Sequence, residues 1–174
     1  MAKNSKETIL HDEIKVMDAL EQHSKESIDE IAKSCGFSRQ KVWRIIKDLE
    51  KRKIIWGYTA ITDETAKNLK HFIVLAKRNT VPFSDNDRKE IILRKLDDYP
   101  MDIITIENIY LTHGTFDWIL TFYAPDLVSA KRFVEETFAR FSKYLQEYTL
   151  IETLVPVRKQ GLKNPRIKEL VEYV

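Results

Sequence analysis

The chain of 174 residues is 43 % hydrophobic and 32 % charged, too apolar for a disordered polymer, and no apolar run reaches the roughly 20 residues that span a bilayer. Its 29 Lys+Arg against 27 Asp+Glu leave a formal net charge of +2, which argues against a uniformly basic nucleic-acid binder. A single cysteine, Cys35, excludes an internal disulfide framework and a multi-cysteine metal site, and the polar start from Met1 to Glu7 has no apolar signal core, so a cytoplasmic protein is expected.

The total conceals an uneven distribution. Residues 1–62 carry 12 cations and 10 acids, residues 63–157 carry 12 and 15, and residues 158–174 carry 5 and 2. Within the first block, residues 38–53 hold seven cations against Asp48 and Glu50, a local +5. Hydrophobic period changes at the same places. Helical spacing dominates residues 9–53 of a first domain over 1–62, a polar stretch at 63–69 reads as a linker, residues 70–157 alternate strand-like and helical runs, and 158–174 form a C-terminal extension.

A first helix is expected from about His11 to Gln22, with Ile14, Met17 and Leu20 on one side. Ser27 can cap a second helix, with Glu30 reaching back to the Ser27 amide as a capping box. Gly36 stands where the left-handed stop of that helix belongs. Ser38 can cap a third, in which Val42, Ile45, Ile46 and Leu49 follow the i, i+3, i+4, i+7 rule. Ala32 is small where the last two helices would cross. Helix, short glycine turn, helix is the layout that places the second helix of a pair in the major groove.

Side-chain chemistry then distributes the roles on double-stranded DNA. Arg39, Arg44 and Gln40 have heads that read base edges, Arg to guanine and Gln to adenine. Ser38, Lys41, Lys47, Lys51, Arg52 and Lys53 suit phosphates, which position a protein without reading sequence. Trp43 could pack on a thymine methyl or a sugar, or cover the edge of its own core. One +5 patch binds weakly, so two subunits acting together are expected. The β-rich run from Ile54 to Thr62 is expected to be a strand, serving as a short wing or a connecting arm.

The rest reads as strand (Lys70 to Asn79), helix (from Ser84, with Ile91, Ile92, Lys95 and Leu96, to before Pro100), strand (Met101 to Leu111), strand (Phe116 to Ala124), helix and strand (Tyr148 to Val157). The second of these helices opens at Pro125–Asp126, with an apolar stripe from Leu127 through Phe141 to Leu145. The order βαββαβ is the ferredoxin-like arrangement, an antiparallel sheet with both helices on one face. The other face is bare in a single chain, which predicts a dimer through it. The fold class is α+β, a winged-helix-like helix-turn-helix domain followed by a ferredoxin-like domain.

From about Ile9 to Val157 the chain resembles the Lrp/AsnC, or feast/famine, transcription regulators of prokaryotes. The resemblance rests on Ile31-Ala32, Gly36-Phe37-Ser38, Val42, Ile45 and Leu49-Glu50, then on Ile54-Ile55-Trp56-Gly57-Tyr58-Thr59-Ala60-Ile61-Thr62-Asp63. It implies dimers through the sheet domains, often assembled into tetramers or octamers, with a small-molecule effector, frequently an amino acid, bound between dimers. Gly114, Thr115, Phe116 and Asp117 align with the family's effector turn, preceded by His113 where Thr is usual. Backbone amides at that turn could take a carboxylate and Asp117 an ammonium. Equally, Gly114 could simply close a tight hairpin.

No cofactor or metal motif is present, and the four histidines, His11, His23, His71 and His113, lack ligand spacing, so no enzyme activity is expected. Two alternatives share the layout. Tetrapyrrole decarboxylases of haem biosynthesis resemble it, but their histidine/arginine stretch is replaced here by Ile106-Glu107-Asn108-Ile109-Tyr110-Leu111. An effector-independent architectural DNA binder is the other.

Overall fold

The computed structural model describes residues 2–23, 25–93 and 103–173. The chain folds as two compact units, Met1–Ala60 and Ile61–Val174.

The first unit is built from α1 (Ala2–His23), α2 (Ile28–Cys35) and α3 (Arg39–Lys51). The capping box forms as its residue types dictate: the Ser27 amide donates to Glu30 Oε2 at 2.7 Å, and the Glu30 amide donates to Ser27 Oγ at 3.3 Å. Gly36 closes α2 at φ 65°, a conformation that costs a side chain about 1 kcal/mol or more. Two residues later Ser38 Oγ accepts from the Lys41 amide and opens α3. Val16, Ile31, Ala32, Cys35, Val42 and Ile46 form the core. The buried face of α1 is therefore rotated from the expected one. Val16 is fully buried while Ile14 is exposed, because α1 meets α2 and α3 through Val16, Ala19 and Leu20.

The expected strand over Ile54–Thr62 does not form. The segment is β-rich in composition, but no strand of the described residues lies beside it to complete a ladder.

In the second unit, β1 (Lys70–Arg78), β2 (Thr105–Leu111), β3 (Trp118–Ala124) and β4 (Leu145–Glu152) form an antiparallel sheet in the order β2-β3-β1-β4. The helices are α4 (Asp85–Leu93) and α5 (Leu127–Arg140), so the βαββαβ order is that of a ferredoxin-like domain. Strand alternation sorts the side chains. Phe72, Val74, Ala76 and Phe122 join Ala130, Phe133 and Val134 of α5 in the core, with Ile91 of α4 against it. Phe122 lies 5.6 Å from the ring of Phe72 and 4.8 Å from that of Phe133. The register pairs Ile73 with Thr121 and Leu75 with Ile119 on the opposite face, which no helix covers among the described residues.

Several boundaries differ from expectation. Leu145 belongs to β4 rather than to the stripe of α5: Phe141 caps the helix, and the Leu145 amide turns back to the Phe141 carbonyl. The last strand ends at Glu152, ahead of Pro156, which has no N–H for a ladder. Lys95, Leu96, Pro100 and Met101, placed in α4, its end and the start of β2, lie outside the described residues. Residues 63–69, read as a linker, contain a 3-10 helix (Glu64–Lys67) capped by Asp63. The C-terminal extension holds a hairpin, β5 (Arg158–Lys159) with β6 (Leu162–Lys163), and a 3-10 helix over Ile167–Tyr173.

Candidate nucleic-acid interface

The turn after α2 and the cap at Ser38 leave the first turn of α3 facing solvent. Ser38, Arg39, Gln40, Trp43 and Arg44 are exposed, and with Lys41 they line a shallow surface concavity of about 510 Å³. Trp43 is 53 % exposed.

The seven cations are not equally free. Arg39 pairs with Asp29 at 3.0 Å, and Lys47 with Glu50 at 2.7 Å. Lys41 reaches Asp12 at 2.6 Å and sits 3.8 Å from the centre of the Phe37 ring. Arg52 bridges Glu13 at 2.7 Å and Asp48 at 2.9 Å, and the Glu13 carboxylate holds its pKa above the ordinary value. Asp12, Glu13 and Asp29 lie outside the window that gave +5, so the local count overstated the field. Among the described residues, Arg44, Lys51 and Lys53 have no ion pair, and Gln40 no side-chain hydrogen bond. Those three cations and the amide define the free donor set.

Lys53 is backbone-strained. The Ile54 amide donates to the Leu49 carbonyl at 2.9 Å and the Lys53 amide to that of Glu50 at 3.0 Å, a Schellman end to α3. That motif puts Lys53 at φ 62°, where glycine is the usual occupant. Beyond it, Trp56 is 95 % exposed, beside Tyr58, whose hydroxyl donates to Glu50 at 3.1 Å.

The turn between β2 and β3 carries the candidate effector residues. His113, Gly114 and Thr115 are exposed, and Gly114 has φ 147°, open only to glycine at low cost. Asp117 is already engaged: Oδ2 accepts from the Arg78 amide at 3.0 Å, and its own amide donates to the Ala76 carbonyl at 2.9 Å. The Lys77 ammonium lies 5.8 Å from the Phe116 ring. Gly114 thus stands in the β2–β3 turn, and Asp117 ties that turn to β1.

A polar cluster on the uncovered sheet face was missed from sequence. Glu107, at a bulge in β2, accepts from Tyr123 Oη at 2.7 Å and from Thr121 Oγ1 at 2.9 Å, and lies 3.1 Å from His71 Nε2. His71 Nδ1 meets Thr153 Oγ1 at 2.6 Å. Burial raises the Glu107 pKa, but the hydrogen bonds from Tyr123 and Thr121 outweigh it, so the carboxyl stays below its usual value. Burial and the same carboxylate push the Tyr123 phenol up. The sequence signal was Glu107 itself, a charge within an apolar strand. The described residues contain no group of His, Cys, Asp and Glu able to hold a metal, and no helix among them is long and apolar enough to cross a membrane.

Residues 13–55 match the winged helix-turn-helix DNA-binding family, which defines α1–α3 as a domain of that class. Solved structures extend the likeness along the chain. A transcriptional regulator of Neisseria meningitidis, solved as a complex with L-Met, is 17 % identical, with 91 % of this chain and 97 % of that one covered and a TM-score of 0.66. An AsnC family transcriptional regulator from Agrobacterium tumefaciens is 19 % identical over 90 % of this chain and 97 % of its own, at a TM-score of 0.65. LrpC of B. subtilis is 20 % identical over 85 % and 96 %, at 0.60. No curated protein sequence matches the chain. The fold is that of the Lrp/AsnC regulators, a helix-turn-helix domain followed by a ferredoxin-like one.

Proposed function

We propose that the protein is a sequence-specific DNA-binding transcription regulator rather than an enzyme, working in the cytoplasm as a dimer or a higher oligomer. The observation that carries this reading is the outward face of α3. There Gln40, Trp43 and Arg44 stand clear of any side-chain partner among the described residues, at the open end of a capped recognition helix. Arg44 and Gln40 read base edges; Lys51 and Lys53, with the amides after Ser38, hold phosphates. Arg39, Lys41, Lys47 and Arg52 join them by exchanging carboxylates for phosphate oxygens. Residues 1–62 contact DNA, and residues 70–157 pair subunits through the face bearing Ile73, Leu75, Ile119 and Ile151. A small molecule with an amino-acid head binds at His113–Asp117, where the amides around Gly114 take its carboxylate and the free oxygen of Asp117 its ammonium. The fold likeness to regulators, one of them crystallised with L-Met, supports both parts.

In vitro selection of duplexes by the full chain, at several salt concentrations and with or without an amino-acid pool, tests the reading. It expects a pseudo-palindromic site whose affinity changes with the pool. A duplex affinity independent of sequence at every salt concentration would leave only an architectural binder and would overturn it.

A further inference from the structure

The hairpin β5–β6 folds back over one end of the sheet. Lys159 of β5 donates to the Thr62 carbonyl at 3.0 Å, pairs with Glu64, and lies 5.1 Å from the Tyr123 ring. Burial raises the Glu64 carboxyl, but its bonds to Lys159 and Thr62 bring it below the ordinary value. Arg166 reaches Asp63 at 3.5 Å, and Asn164 Nδ2 donates to the Pro156 carbonyl at 2.9 Å. Residues 158–166 are thus a strap fastened to the first residues of the second unit.

Beneath the strap lies a cavity of about 610 Å³, within the range of small-molecule sites. Its walls are mostly apolar, from Ile61, Leu69, Leu154, Pro156, Leu162 and Pro165. Four cations border it, and three are already matched: Lys70 to Glu152 at 2.8 Å, Lys159 to Glu64, and Arg166 to Asp63. The fourth, Lys163, has no ion pair or side-chain hydrogen bond among the described residues. The carboxylates show the opposite balance. Asp63, Glu64 and Glu152 each hold a cation, and Glu107 nearby is taken up by His71, Thr121 and Tyr123.

An apolar cavity with one spare ammonium and no spare carboxylate selects its ligand by charge. We propose that it binds small apolar monocarboxylates, a branched-chain 2-oxo acid being the type, with the ligand carboxylate on Lys163 and its hydrocarbon end against Leu154, Pro156 and Leu162. An α-amino acid of the same skeleton binds less well, because its ammonium, one carbon from the carboxylate, lies beside the like-charged Lys163 ammonium and finds no free carboxylate. The site is separate from the turn at His113–Asp117 and is built by the C-terminal extension.

Calorimetry on the full chain with 4-methyl-2-oxopentanoate as probe, and L-leucine and isopentylamine as matched controls, tests this without DNA, so its outcome is independent of the transcription reading. The binding that Leu154→Trp removes is expected to be at least about tenfold tighter for the oxo acid than for L-leucine, and absent for the amine. Lys163→Gln should weaken the oxo acid about tenfold while Lys163→Arg retains it. Leu154→Trp should block it. Unaltered thermal unfolding of Lys163→Gln secures the comparison, since Lys163 is exposed. Absence of oxo-acid binding, equally tight L-leucine binding that Leu154→Trp abolishes, or indifference to Lys163→Gln would each overturn the proposal.

Discussion

The Asp12 carboxylate on α1 holds the Lys41 ammonium on α3 at 2.6 Å, so an acid 29 positions upstream takes part of the charge from the candidate DNA face. Phosphate binding must first break that pair. Asp12→Asn should therefore raise duplex affinity and steepen the slope of log K against log salt by about one unit, the contribution of one further released counterion. Fluorescence anisotropy across a salt series reads both quantities.

Lys53 gives a prediction in which stability and function move in opposite directions. Its left-handed backbone costs a lysine about 1–2 kcal/mol, part of which glycine returns through its larger unfolded-state entropy. Lys53→Gly should stabilise the first unit by up to about 1 kcal/mol while weakening DNA binding. A rise in melting temperature without loss of affinity would remove Lys53 from the phosphate contacts.

What the sequence disclosed, and what it hid, follows from how far each interaction reaches. The cap at Ser27 with Glu30, the stop at Gly36 and the restart at Ser38 are settled within four residues, and all three appear as expected. The βαββαβ order was legible for the same reason, since alternation in β3 and the stripe of α5 are local periods. Partners distant in the chain were not. Asp12, Glu13 and Asp29 neutralise cations that a 16-residue window counted as free, and His71 meets Glu107 and Thr153 only after the strands of the sheet align. The Ile54–Thr62 run was read as a strand on residue types alone, but a strand also needs a neighbour. Leu145 continued the helical spacing of Phe141 although the chain turns between them.

Asp87 ties the start of α4 to the turn between α5 and β4. It accepts from the Ser84 amide at 2.9 Å, from Lys143 at 2.5 Å and from Tyr144 Oη at 3.0 Å, and these bonds, with Lys143 foremost, hold its carboxyl well below the usual aspartate value. A folded-state pKa below the unfolded one stabilises above about pH 4, and that contribution is lost as pH falls through the acid range. Thermal unfolding of the native chain should decline steeply below pH 4. Asp87→Asn should lower stability at neutral pH and flatten that acid limb.

Phe72 is fully buried between β1 and α5. Phe72→Ala should cost the second unit about 3–5 kcal/mol. Because the two units have separate cores, differential scanning calorimetry should show one transition lowered and the helix-turn-helix transition unmoved. A single transition shifted as a whole would show that the units unfold together.

The most direct test of the account is the binding of selected duplexes by the native chain beside Arg44→Ala and Lys51→Ala. Arg44→Ala should cost about 1–3 kcal/mol on the selected site and relax preference at one base position, whereas Lys51→Ala should weaken all duplexes alike and reduce the salt slope by about one. If both variants bind as the native chain does, with the same sequence preference and the same slope, α3 is not the reading element and the account is contradicted.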